Sequence, residues 1–95
     1  METQMPGSQT QLKWEANALE KFNLMITRIP MFHRAIAKVV VQKKAQQNAL
    51  DRGSPQVEEP DIVKAFFSEV PKAFYSLMVR LLDEAKFNYK NFEQK

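Results

Sequence analysis

His33 is the one side chain of this 95-residue sequence that titrates near neutral pH. It stands between Phe32 and Arg34 with no acid within four residues, so no neighbouring carboxylate can orient it as a general base. The sequence has no Cys, which excludes thiolate nucleophiles, disulfides and thiolate metal sites, and a lone His excludes a multi-histidine metal centre. Glu58, Glu59 and Asp61 could offer oxygen ligands, but beside Pro60 they read better as negative charge at the positive end of a helix dipole. Asp83 and Glu84 are adjacent on a predicted helix and diverge. With two Gly residues there is no phosphate-cradling loop. The expectation is a chain with no catalytic residues, no metal and no cofactor, and no catalysis of its own.

The remaining chemistry is cationic. No acid occurs between Arg28 and Leu50, a stretch that holds Arg34, Lys38, Lys43 and Lys44. These four are the candidates for contact with an anion or a partner. Residues 1–52 carry eight Lys or Arg against four acids, and residues 53–95 carry six against seven, so the formal +3 divides into +4 and −1. Such a stretch is more often a solvated helix face, because dedicated nucleic-acid domains are more basic than this.

The elements that must position these groups read as helices broken by punctuation, and the fold class is a compact all-α four-helix domain. Helices are predicted over about 12–28, 31–52, 59–69 and 72–92, with a short extended link at 54–57. Thr10 is the candidate first cap. Ile29-Pro30 makes a corner, since the residue before Pro avoids the helical region and Pro suits a first turn. Arg52-Gly53 closes the second helix. Residues 1–11 are polar, lack the apolar core of a signal peptide, and read as a flexible tail before a single domain over 12–95. No apolar run reaches membrane-spanning length, so the expected location is the cytoplasm, with no membrane partner.

The second helix carries two apolar stripes, one of large residues (Phe32, Ile36, Val39 and Val40) and one of small ones (Ala37, Val41, Ala45 and Ala49). Two stripes predict a central helix packed on both sides. The last helix presents Phe74, Leu77, Met78, Leu81, Leu82, Ala85, Tyr89 and Phe92 to the core. Its off-stripe residues Tyr75, Val79 and Phe87 fit either another protein, or a second copy, docking on that helix, or, for Tyr75 and Phe87, ordinary scattered surface aromatics.

Trp14, the turn with Ala16, Ala18 and Leu19, the block Ile29-Pro30-Met31-Phe32-His33-Arg34, the ending Ala49-Leu50-Asp51-Arg52-Gly53, and Val57 before Glu59–Phe66 together resemble a known domain. It is the small helical C-terminal domain of the B subunit of light-independent protochlorophyllide reductase, the PCP reductase family. The resemblance covers about residues 14–67, with 71–95 an extra C-terminal helix. It implies a stand-alone, non-catalytic accessory or interaction module related to an oxidoreductase of chlorophyll biosynthesis, with Trp14, Pro30, Phe32, Arg34 and Gly53 as the motif residues. The sequence departs from the pattern at Gln42, Lys43 and Lys44, where the family has an acid, and at Glu58, where it has a Thr cap. Gly53, Val57, Asp61, Ile62 and Ala65 also resemble the loop and last helix of histone-fold proteins. That likeness implies a small dimeric DNA-binding protein using the basic second helix.

Within the motif, Pro30 sets the corner, Phe32 is expected in the core, and Arg34 needs an anion, a carboxylate or helix-end carbonyls. If Phe32 is core, Phe32→Ala should cost about 3–5 kcal/mol in a denaturant titration.

Overall fold

Among the described residues two short strands and four helices follow in the order β1 (Lys13–Trp14), α1 (Ala16–Arg28), α2 (Met31–Asp51), β2 (Gln56–Val57), α3 (Glu59–Glu69) and α4 (Tyr75–Glu84), with a 3-10 turn at Lys72–Phe74. The computed structural model describes residues 12–90. It bears out the all-α, four-helix class. The predicted tail 1–11, the Thr10 cap and Phe92 lie outside the described residues.

The first helix begins later than its periodicity predicts. The Glu15 carboxylate accepts the backbone N–H groups of Ala18 (2.8 Å) and Asn17 (3.1 Å), satisfying two of the open donors at the start of α1. Residues 12–14 are extended instead. Lys13 and Trp14 pair in parallel with Gln56 and Val57, and the Glu15 N–H donates to the Val57 carbonyl at 2.9 Å. The Leu12 N–H donates to Gln46 Oε1 at 2.8 Å. This two-residue ladder joins segments far apart in the chain, so no local alternation announces it.

Ile29 and Pro30 are both extended, and α2 starts at Met31 as the corner requires. At the other end Gly53 has φ +72°. Its N–H donates to the Leu50 carbonyl (3.0 Å) and the Ser54 N–H to the Ala49 carbonyl (2.9 Å), the paired bonds that close a helix through a left-handed residue. The final helix is shorter than expected, Tyr75–Glu84 in place of 72–92. Lys86, at φ 70°, makes the same closure without a glycine, with its N–H on the Asp83 carbonyl (3.0 Å) and the Phe87 N–H on the Leu82 carbonyl (2.9 Å). This turns Phe87 into the core, where it is 4% exposed, and leaves Tyr75 and Val79 half-buried.

The core lies between α1, α2, α3 and α4 around Phe22, Met25, Val41, Ile62, Phe66 and Leu82. α3 packs chiefly on the small-residue stripe of α2, where Ala45 and Ala49 are fully buried. Small side chains let the two helices approach closely, and β-carbons in contact contribute dispersion without ordering long side chains. The large-residue stripe is not packed. Phe32 is 92%, Ile36 69% and Val39 64% exposed, with Val40 at the edge. The expected core role of Phe32 is therefore corrected, and so is the packing of α2 on both sides. Phe74, also expected inside, is half exposed because the 3-10 turn points it away from the α4 stripe.

A polar clamp fixes the join between α2 and α3. Arg52 donates through Nε to Asp61 Oδ1 (2.7 Å) and through Nη2 to Oδ2 (2.8 Å), a two-pronged pairing with a carboxylate that is 2% exposed. Asn48 Nδ2 donates to the Asp61 carbonyl at 3.0 Å, and Asp61 Oδ2 accepts the Glu58 N–H at 2.9 Å. The hydrogen bond to Asp61 holds the Arg52 guanidinium charged beyond its ordinary range. Glu58 is held below the usual carboxylate range, first by the Gln56 amide (3.0 Å) and then by Arg52 (3.2 Å). Its contribution is thus present above the ordinary Glu pKa of about 4.3 and fades as pH falls through its lowered value. The acids read from sequence as helix-terminal charge have this further duty, and Glu59 also pairs with Lys21 at 2.9 Å.

In a urea titration of the single chain at high dilution Phe32→Ala should change the unfolding free energy by less than about 0.5 kcal/mol, while Phe22→Ala costs about 3–5 kcal/mol. Arg52→Ala, which strands the buried Asp61 carboxylate, should cost about 3 kcal/mol in the same measurement. A near-neutral Arg52→Ala would mean that the clamp does not anchor the helix pair.

Candidate functional site

An apolar groove with a cavity volume of about 550 Å³ runs between the flank of α2 and the corner joining α3 to α4, reaching in to Met25, Val41, Phe66 and Leu81 of the core. One wall is Ile36 and Val40 of α2. The other is Pro71, Phe74 and Leu77, from the corner between α3 and α4. The groove exists because of where α4 goes. Val70 and Pro71 are extended, which ends α3 and sends α4 back across α1 and α3, leaving open the flank of α2 that faces it. The volume falls within the range of small-molecule and peptide-anchor sites.

Beside this groove stands a ridge. Phe32, Ile36 and Val39 follow at steps of four and three, so they form one line along α2. Met31 adds a 77% exposed side chain at the ridge's start. Polar groups are confined to the groove rim. His33 lies against Phe74 with ring centroids 6.2 Å apart, and Glu69 ends α3 nearby. A nucleophile–base pair is not assembled from these, so the surface offers apolar contact with two titratable groups at its margin.

The residues singled out by sequence take separate places. Arg34 does not face solvent as an anion site. Its Nε (3.2 Å) and Nη2 (3.1 Å) donate to the Ile29 carbonyl, and Nη2 donates to the Thr27 carbonyl at 3.0 Å. It caps the C-terminal end of α1, where carbonyls lack helical partners and a cation is favoured. Pro30 and Gly53 hold the two ends of α2. Trp14 is half-buried with its ring 5.0 Å from that of Phe22. Lys38 is exposed beside a smaller cleft with Trp14 and Gln42, Lys43 is exposed one turn beyond Val39 on the ridge line, and Lys44 is half-buried. At 100° per residue, Lys38, Lys43 and Lys44 point in three directions, so the basic stretch is not a single face.

Sequence reasoning missed Pro71, Phe74 and Leu77 as partners of the exposed stripe. The available signal was a repeated dipeptide. Ile29-Pro30 and Val70-Pro71 are both apolar–proline corners, and both line the groove.

The family model described as "Protein of unknown function (DUF2621)" matches residues 6–95. No curated protein and no solved structure matches the chain. No described helix is long and apolar enough to cross a membrane.

The Arg34 cap gives a direct test. Arg34→Ala should cost about 1–2 kcal/mol by leaving helix-end carbonyls without a donor. It should also speed amide exchange across 26–34, with little dependence on salt. A loss that vanishes in high salt would point to an ionic partner instead.

Proposed function

The chain belongs to the DUF2621 family, and we propose that it is a non-catalytic interaction module that docks protein through the outer face of α2. The observation that carries this reading is the bare ridge of Phe32, Ile36 and Val39, 64–92% exposed, set beside an apolar groove. Single exposed hydrophobic residues are ordinary, but a continuous ridge next to a groove is the signature of a surface that is covered in use.

The use of the polar residues supports the same reading. Arg34, Arg52, Asp61, Asn48 and Glu58 are all engaged in holding helices together. That leaves the apolar ridge on α2 beside exposed charged side chains such as Lys38 and Lys43, which do not gather on one face.

The likeness of residues 14–67 to the C-terminal domain of the protochlorophyllide reductase B subunit adds an accessory role. In the motif block, Pro30 and Arg34 serve the corner, whereas Phe32 projects into solvent and is free to meet a partner. A module of this kind would work beside a larger, reductase-like assembly. The DNA-binding reading draws less support, because Arg34 is committed to the cap and the three lysines diverge around α2.

The test is a photo-crosslinking amino acid placed at Ile36 in living cells, with the same residue at exposed Lys64 on α3 as the control. A protein adduct of defined mass is expected from position 36 and not from position 64. The absence of any adduct at position 36 would overturn the interaction reading.

A further inference from the structure

We propose that the occupant of the α2 face is a second copy of this chain, packed about a two-fold axis passing near Ile36. The inference rests on the interaction reading above and specifies its partner.

A symmetric interface must be complementary to itself, because the same patch is presented by both copies. This patch meets that demand. Its ridge (Phe32, Ile36 and Val39) borders its groove (Ile36 and Val40 of α2, facing Phe74 and Leu77), and Ile36 belongs to both. With two α2 helices crossing at Ile36, each ridge fills the other copy's groove. A different partner would need only one of these features.

The area agrees. At exposures of 77, 92, 69, 64 and 50%, Met31, Phe32, Ile36, Val39 and Phe74 offer at most about 700 Å² per copy when wholly covered. Twice that is about 1,400 Å², inside the range of stable specific interfaces.

The charge does not oppose it. Lys43 lies seven residues from Ile36, about 10 Å along the helix. In an antiparallel crossing the two copies of Lys43 sit about 20 Å apart, beyond the screening length of about 8 Å at physiological salt. An acidic helix would be the natural alternative if Lys38, Lys43 and Lys44 shared a side, and they do not. An anionic bilayer would meet the ridge but leave the concave groove unfilled.

Light scattering of the full chain across a broad concentration range should give twice the 11.1 kDa chain mass. Ile36→Glu should halve that mass with the circular dichroism unchanged, since the side chain is 69% exposed in the single copy. Because the sequence has no Cys, Ile36→Cys places one thiol near the axis, and mild oxidation should yield a disulfide-linked dimer on a non-reducing gel. Lys64→Cys should not. A mass of 11.1 kDa at every concentration, or a dimer that survives Ile36→Glu, overturns the proposal. A monomer whose position-36 probe still captures another protein, or that binds anionic vesicles through the same face, also overturns it; the captured protein would leave the interaction reading standing. A monomer with no adduct at position 36 removes both.

Discussion

The rotation of α2 about its own axis is the constraint on which the rest of this structure depends. Arg34 and Arg52 lie about five turns apart and therefore on one line of the helix. Arg34 is tied to the end of α1 and Arg52 to the start of α3. Val41, Ala45 and Asn48 follow the same side and are buried. Two forked cations thus pin one face inward at both ends of a 21-residue helix. The opposite line, Phe32, Ile36 and Val39, has no choice but to face out. Neither arginine reaches its partners if α2 turns by half a revolution, so the helix cannot bury its larger side chains without losing both anchors.

This explains why the smaller stripe is the one that is buried. On area alone, Phe32 and Ile36 would contribute more than alanines. Against that stand a buried Asp61 that must keep its guanidinium and a buried Asn48 that must keep a carbonyl. Stranding these groups costs several kcal/mol, comparable to the gain from two large side chains. The alanine face also brings α3 close enough for Ile62 and Phe66 to reach the centre of the core.

The legible and illegible parts of the sequence divide along the same line. Helix existence and most boundaries could be read, because Pro30, Gly53 and Pro71 act on their own neighbours. The end of α4 could not, because Lys86 takes a left-handed conformation that usually marks glycine. The β1–β2 pairing could not, because two residues make no alternation and their partners lie far along the chain. Most telling is the choice between the α2 stripes. Both have helical spacing and both are expected to pack, yet the stripe of larger residues is exposed. The decision belongs to Asp61, Thr27 and Ile29, which lie outside α2. Arg34 was legible as a residue in need of a helix end, and that end is the one just before the corner it follows.

The block Ile29–Arg34 therefore combines two duties in six residues. Pro30 and Arg34 make the corner, with Arg34 folded back on the carbonyls of Thr27 and Ile29. Phe32, between them, is presented outward by the same geometry. Pro30 and Ile29 also line the groove, whose far wall is the second apolar–proline corner at Val70–Pro71. The exposed face is thus a consequence of how α2 is anchored, and not a region left over after folding. Any change that rotates α2 must alter the corner, the groove and the ridge together. The backbone that carries this surface is fixed by the core through Arg34 and Arg52, so its line along α2 is set before anything covers it. The face is thereby part of the architecture of the domain, set by the same contacts that place α2 against α1 and α3.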